Sequence, residues 1–215
     1  MRISKLVMYT EIQMTLQDIT IQTYQDNFDM YKEKTPNEMS GEFVVWMNAF
    51  IALLPRDGYV FEFGSAEGRD ARYLRDRGVQ MYCTDVIPQA LEELSVDNFK
   101  TAIYDFREDP HDSWQDAYDG VLAKAVFLHA SQEMFEKALR HISVMLKHQG
   151  VACLTFKLGK GDEIETDKLG GKRYFKLYEE EELIEIIRHN KDFEIIKTFV
   201  TSELKWIQVL LKKIG

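Results

Sequence analysis

The chain is 215 residues long, 45% apolar and 29% charged, within the range of one globular domain of about 150 to 250 residues. Its 27 Lys and Arg against 36 Asp and Glu give a net charge of -9, which argues against an extended basic surface for a nucleic-acid backbone. The most apolar stretch, FVVWMNAFIALL at 43–54, is 12 residues long and contains Asn48, short of the roughly 20 residues of a bilayer span. With no secretory signal at its start, the chain reads as cytoplasmic.

Residues 1–55 read as helix, interrupted around 34–41, and the apolar run 42–54 stops at Pro55, where a helix cannot continue. After the turn PRDG the period changes. Residues 59–63 form a short β-prone run, 67–77 a helix closed by Gly78, and 79–84 a second strand. The alternation continues with a helix at 88–94, strands at 100–104 and 120–124, a helix at 132–146 and a strand at 151–157. Strand and helix in turn at this spacing predict a parallel sheet covered on both faces. Residues 158–173 hold Gly159, Gly161, Gly170 and Gly171 and read as a long functional loop. A helix with an acidic first turn follows at 179–190, and strands at 193–200 and 204–211 make a final antiparallel pair. Cys83 and Cys153 each sit in an apolar run with no second ligand at metal-binding spacing, so they read as two reduced core thiols, and no metal is expected.

The segment that carries chemistry is YVFEFGSAEGRDARYL at 59–74. A strand runs into Gly64 and a helix starts near Glu67, so the small residues Gly64, Ala66 and Gly68 allow a ligand to approach backbone amides at a helix N-terminus. Asp85 ends the next strand 21 residues beyond Gly64, close to the spacing of about 20 at which an acid meets a ribose hydroxyl pair. A dinucleotide fingerprint G-x-G-x-x-G would need a small residue at 69, where Arg69 stands. Glu62 lies two positions before Gly64; an acid between Phe61 and Phe63 has to find partners, such as amides of the glycine turn.

In this pattern the chain resembles the class I S-adenosylmethionine-dependent methyltransferases, whose first motif has the form E/D-x-G-x-G-x-G. VQMYCTDVIPQAL at 79–91 is similar to the second motif, IYDFRED at 103–109 to the third, YDGVLAKAVFLHAS at 118–131 to the fourth, and LRHISVMLKHQGVACLTFK at 139–157 to the helix, turn and strand that follow. The resemblance implies a three-layer α/β Rossmann-like fold with a mostly parallel seven-stranded sheet, order 3-2-1-4-5-7-6, the last strand antiparallel. It implies one domain over 1–215, with 1–55 a helical cap or lid and 56–215 the sheet core. S-adenosyl-L-methionine is the implied cofactor, with Asp85 as the ribose acid, Val86 after it, and Asp105 with Phe106 at the adenine. Glu62, Gly64, Ser65, Ala66 and Gly68 form the first motif. Arg69 is either a partner for the cofactor carboxylate or a surface helix residue. Glu62 stands for Asp, Ser65 for Cys and Ala66 for the middle Gly, substitutions conservative in size or charge. Lys124, at the end of the fourth strand, would repel a sulfonium unless paired.

His129 reads either as catalytic or as a packed, hydrogen-bonded core residue; Glu163, Tyr174 and Asp162 are the other candidates for proton removal. Tyr24 and Tyr31 could close over the cofactor or belong to the core, and Arg173, Tyr174 and Phe175 either supply a charge and two aromatic faces for an acceptor or anchor the loop to the core. Acidity, compact length and the lack of an added recognition domain favour a methyltransferase for small molecules. A protein, peptide or RNA acceptor is the alternative, along with a non-catalytic cofactor-binding module or a nucleotide-dependent oxidoreductase. No membrane association is expected, and the oligomeric state is open.

Overall fold

Pro55 lies between the helices of the described N-terminal residues and the sheet. The computed structural model describes residues 14–166, 168–201 and 205–215; the helical reading of 1–13 and the first residue of the strand expected at 204–211 lie outside them. Before Pro55 come α1 (Leu16–Asp26), α2 (Phe28–Lys34) and α3 (Glu42–Ile51). Thr15 starts α1 with a reciprocal cap, its hydroxyl accepting from the Asp18 amide while the Asp18 carboxylate accepts from the Thr15 amide. The strands are β1 (Tyr59–Phe63), β2 (Gln80–Asp85), β3 (Lys100–Ile103), β4 (Tyr118–Ala123), β5 (Leu146–Leu158), β6 (Gly161–Glu165), β7 (Arg173–Tyr178), β8 (Phe193–Thr201) and β9 (Trp206–Lys213). Between them run α4 (Arg69–Arg75), α5 (Pro88–Val96), α6 (Gln132–Met145) and α7 (Glu180–His189).

Strands β3, β2, β1, β4 and β5 lie side by side in parallel. β9 pairs antiparallel with β5 over Val151↔Lys212 to Lys157↔Trp206, and β8 pairs antiparallel with β9. The seven strands foreseen from sequence therefore stand in the order β3-β2-β1-β4-β5-β9-β8, the expected 3-2-1-4-5-7-6 with its antiparallel last strand. Among the described residues the count is nine, because the stretch read as a loop is built into the hairpin of β6 and β7. Glycine content pointed to a loop, but Gly159 and Gly161, at positive φ, bend only the entry, while RYFKLY at 173–178 is β-prone throughout.

The hairpin's position follows from hydrogen-bond geometry. Lys157 pairs with Trp206 of β9 on one edge of β5, so its pairing with Leu177 of β7 must use the other edge, which β4 occupies up to Leu154. β6 and β7 thus extend the sheet beyond the carboxyl end of β4. There β1 lies between β2 and β4 and the strand order reverses, the place where open α/β sheets bind ligands.

Residues alternate between two cores because each strand presents successive side chains to opposite faces. Phe61, Val121, Phe135, Leu139 and Ile187 pack on the side of α6 and α7; Val60, Leu122, Leu74, Leu94 and Phe50 pack on the side of α3, α4 and α5. Cys83 and Cys153 are free and buried, and burial pushes the Cys153 thiol up to about 12. Among the described residues no helix is long and apolar enough to cross a membrane.

Candidate functional site

A cavity of about 360 Å³ opens at the carboxyl ends of β1, β2 and β4, within the size range of small-molecule sites. Its floor is the turn after β1. Gly64 (φ 62) and Ala66 (φ 46) adopt left-handed backbone and both line the cavity. Asp85 fixes this turn: its Oδ2 accepts from the Ala66 amide and its Oδ1 from the Ile87 amide, each at 2.9 Å. Burial pushes the Asp85 carboxyl up, against the pull of these amide bonds. Each oxygen keeps a second acceptor site for a ligand hydroxyl.

The glycines do different work. A Cβ on Gly64 would stand 2.6 Å from Cγ2 of Val126, another cavity residue, whereas a Cβ on Gly68 would stand 2.2 Å from Cδ2 of Leu94 on α5. Gly68 is small because a helix packs against it, and it is not among the cavity-lining residues. Gly64→Ala is expected to cost about 1–3 kcal/mol through overpacking, read as a lower Tm, and Gly64→Ala/Val126→Ala should recover part of it. Absence of any recovery would place the cost in the backbone turn instead of in the contact with Val126.

Beneath the turn lies a cluster of buried charge. Glu62 is 2% exposed, and its Oε2 has no hydrogen-bond partner, nor do Ser65 Oγ and Glu67 Oε2. The amides of the glycine turn, expected to satisfy Glu62, do not reach that oxygen: the Ser65 amide donates to the Thr84 carbonyl and the Ala66 amide to Asp85. Burial, reinforced by Asp70, pushes the Glu62 carboxyl up to about 8. Lys124 is paired, as a cation beside a sulfonium would have to be: its Nζ lies 3.1 Å from Asp70 Oδ1, and Arg69 Nε lies 2.9 Å from the same oxygen. Burial alone would raise the Asp70 carboxyl, but Lys124 and Arg69 together hold it below the usual range. Arg69 also donates to the Pro36 carbonyl and does not line the cavity.

On the β2 side, Val86, Asp105 and Phe106 line the cavity with Tyr104 and Arg107. Asp105 is engaged by Arg107, whose Nη2 lies 2.6 Å from its Oδ2 and whose Nη1 reaches Asp18 of α1 at 2.7 Å. The hydrogen bond from Arg107 holds the Asp18 carboxyl down at about 2. This bridge ties α1 to the rim of the cavity.

The other end is formed by α1, α2 and β7. Tyr24 and Tyr31 both line it, their rings edge to face at 5.5 Å. His129 Nδ1 stands 2.6 Å from the Tyr174 carbonyl, which can only accept, so this nitrogen carries the proton; Nε2 then accepts from the Tyr24 hydroxyl at 3.0 Å. The Tyr24 oxygen in turn accepts from Arg173 Nη1 at 3.0 Å, and Arg173 Nη2 lies 2.7 Å from Glu165. Burial, with Arg173 and Lys157 close by, pushes the imidazole down to about 4 despite the Tyr174 carbonyl. Arg173 and Phe175 face the cavity, and Tyr174 between them does not, as alternation along a strand requires. Asp162 and Glu163 likewise lie outside the cavity lining. Among the described residues no cluster of His, Cys, Asp and Glu could hold a metal.

Sequence reasoning missed Asp70, Arg107, Lys157, Glu165 and Trp206. Lys157 and Arg107 carried a signal: one ends the fifth strand, the other lies two residues beyond Asp105, both on the carboxyl side of the sheet. Glu165 and Trp206 depended on the unforeseen hairpin and on pairing across β5 and β9.

Residues 61–152 match the family model described as a methyltransferase domain. No curated protein is significantly similar to the chain in sequence. Among solved structures, the chain is similar to magnesium protoporphyrin IX methyltransferase from Synechocystis PCC 6803, with 15% identity over 96% of this chain and 100% of that one and a TM-score of 0.69. It is similar to 1,6-didemethyltoxoflavin-N1-methyltransferase from Burkholderia thailandensis, with 16% identity, 93% and 88% coverage and a TM-score of 0.69. A Haloferax volcanii complex of the Trm112 methyltransferase activator with a methyltransferase gives 16% identity, 89% and 97% coverage and a TM-score of 0.66. With the methyltransferase motifs in order along the strands, a methyltransferase-domain model matching residues 61–152 and the shared fold, the chain is similar to the class I S-adenosylmethionine-dependent methyltransferases.

Proposed function

We propose that this methyltransferase acts on a small-molecule acceptor. The observation that carries the reading is the closure of the site: α1 is bonded to β7 through Thr20, which accepts from the Tyr174 amide at 2.9 Å, and through Thr23, which donates to the Lys172 carbonyl at 2.7 Å. Closure leaves a cavity of about 360 Å³ where a protein or RNA acceptor would require a groove. Two of the structural neighbours are named for small molecules, a toxoflavin precursor and a magnesium porphyrin, which supports the same class. Two free buried thiols accord with a cytoplasmic setting, and the whole chain works as one domain with α1 to α3 as its cap.

The residues present fit the cofactor. Three buried polar atoms without partners surround the glycine turn, Gly64 and Ala66 leave backbone open to the cavity, and Asp85 retains acceptor sites. In this reading Asp85 holds the ribose hydroxyls, Val86, Asp105 and Phe106 frame the adenine, and Glu62 and Ser65 receive the amino-acid end. Bound S-adenosylmethionine supplies an electrophilic methyl group on a sulfonium. The chain contributes alignment and the exclusion of water. Lys124 is paired with Asp70, which it shares with Arg69, so its repulsion of the sulfonium is reduced. His129 has both ring nitrogens engaged, which supports the packed, hydrogen-bonded one of its two sequence readings, with His129 positioning Tyr24.

The experiment is a turnover assay that follows S-adenosylhomocysteine release with a small-molecule library on one side and the protein and RNA fractions of a bacterial lysate on the other. Turnover confined to small molecules is the expected result. Turnover confined to the macromolecular fractions would overturn the proposal and favour the alternative acceptor class, to which an activator complex such as the Haloferax one would be relevant.

A further inference from the structure

Four cations face the cavity, and three of them are ion-paired within the described residues. Arg107 is held by Asp105 and Asp18, Lys124 by Asp70, and Arg173 by Glu165. Lys157, at the end of β5, also lines the cavity, and no described residue gives it an ion pair or a hydrogen bond. Its Nζ lies 4.3 Å from the centroid of the Phe175 ring, and the Arg173 guanidinium carbon lies 5.2 Å from the same centroid. Of the acids that line the cavity, Glu165 is taken by Arg173 at 2.7 Å, Asp105 by Arg107, and Asp85 by two backbone amides. A half-buried ammonium gains most from a counter-charge that enters the cavity with it.

The surroundings define what brings that charge. Tyr24, Phe175 and Trp206 line the same end with flat aromatic surface, and their rings suit a planar partner. His129 offers no free ring nitrogen, so the wall provides no ready base and favours an acceptor already ionised on entry.

We infer, on the small-molecule methyltransferase reading, that the acceptor is a small aromatic carboxylate whose anionic group is held by Lys157 and whose ring is received by Tyr24, Phe175 and Trp206. Lys157 is then a specificity residue: it selects acid over neutral isostere, while the cofactor end stays as it is.

The test uses the full chain loaded with S-adenosylhomocysteine and matched probes: benzoate against benzamide, salicylate against salicylamide, and cinnamate against cinnamamide, with dissociation constants read by calorimetry at fixed salt. At least one acid should bind about tenfold tighter than its amide or better, Lys157→Met should abolish that preference, and Lys157→Arg should retain it. Lys160→Met removes a neighbouring charge from a side chain 81% exposed and should leave the preference intact. Equal binding of acid and amide in all three pairs, or a preference that survives Lys157→Met, overturns the inference. Failure of S-adenosylhomocysteine itself to bind is a different result: it removes the cofactor reading, and this inference with it. Cofactor affinity unchanged in Lys157→Met shows that the variant is folded and that the loss belongs to the acceptor.

Discussion

Asp85→Ala should weaken binding of S-adenosylhomocysteine by roughly 10- to 150-fold, the equivalent of about 1.5–3 kcal/mol for lost hydrogen bonds to a charged group. The carboxylate does two jobs. It orders the turn by accepting from the Ala66 and Ile87 amides at 2.9 Å, and in the proposed complex it accepts from the ribose. Removing it also leaves two amides without partners, at about 1–3 kcal/mol each where they are buried, so Tm should fall as well. A binding loss by itself could reflect either job. The separation comes from an analogue without the ribose hydroxyls: the parent should prefer S-adenosylhomocysteine over the dideoxy analogue, and Asp85→Ala should show no such preference, as a coupling cycle requires for groups in contact. Asp85→Asn, which keeps one carbonyl oxygen, should restore part of the Tm. Equal affinity of Asp85→Ala and the parent for S-adenosylhomocysteine would sink the ribose assignment.

Much of the sheet could be read from sequence because its determinants are local. Runs such as VFEF and VACLTF suit strands buried on both sides of a parallel sheet, and Gly78 follows the end of α4 as a C-terminal glycine should, while α3 stops at Ile51, ahead of the Pro55 expected to end it. The hairpin of β6 and β7 escaped because composition was weighed over period: Gly159, Gly161, Gly170 and Gly171 mark bends, while 161–165 and 173–178 between them pair in register. The same oversight grouped Tyr174 with Phe175, although neighbours on a strand face opposite ways and only Phe175 meets the cavity. Positions in the glycine turn and at strand ends were legible, since topology alone brings them together. Ion pairs were not. Lys124 meets Asp70 across 54 positions and Arg107 meets Asp18 across 89, and nothing in one sequence states which acid a buried cation will find.

Glu62 gives the last prediction, which concerns pH. Its carboxyl moves from an ordinary 4.5 to about 8 on folding, through burial first and the neighbouring Asp70 second. Between those values the folded chain holds a proton that the unfolded chain has released, so stability declines as pH rises from about 4.5 to about 8. His129 acts in the opposite sense and elsewhere: its folded value of about 4 against an ordinary 6.5 makes stability fall as pH drops below about 6.5, and above that point the ring is neutral in both states. The window from pH 6.5 to 8.5 therefore excludes the imidazole, and because the Asp85 carboxyl is also raised by burial, the part due to Glu62 is the difference between parent and Glu62→Gln. Over it the Tm of the cofactor-free protein should decline, and Glu62→Gln, which carries no proton to lose, should show a flatter profile and a higher Tm at pH 8.5. Cofactor binding should reverse the preference. Glu62 lies beneath the turn, 2% exposed and outside the cavity lining, and in the proposed complex its ionised carboxylate, with Oε2 unpartnered, attracts the cationic amino group of the cofactor. From pH 6 to 7.5 the parent's affinity for S-adenosylmethionine should then rise with pH and binding should release a proton, seen as a dependence of the binding heat on the buffer's ionisation enthalpy. The cofactor's own amino group titrates nearby, so the diagnostic is the difference between parent and Glu62→Gln. The variant should bind more weakly, with no proton released by its side chain. Identical pH profiles for the two proteins would show that Glu62 stays protonated in the complex and holds the turn only as a buried hydrogen-bonding group.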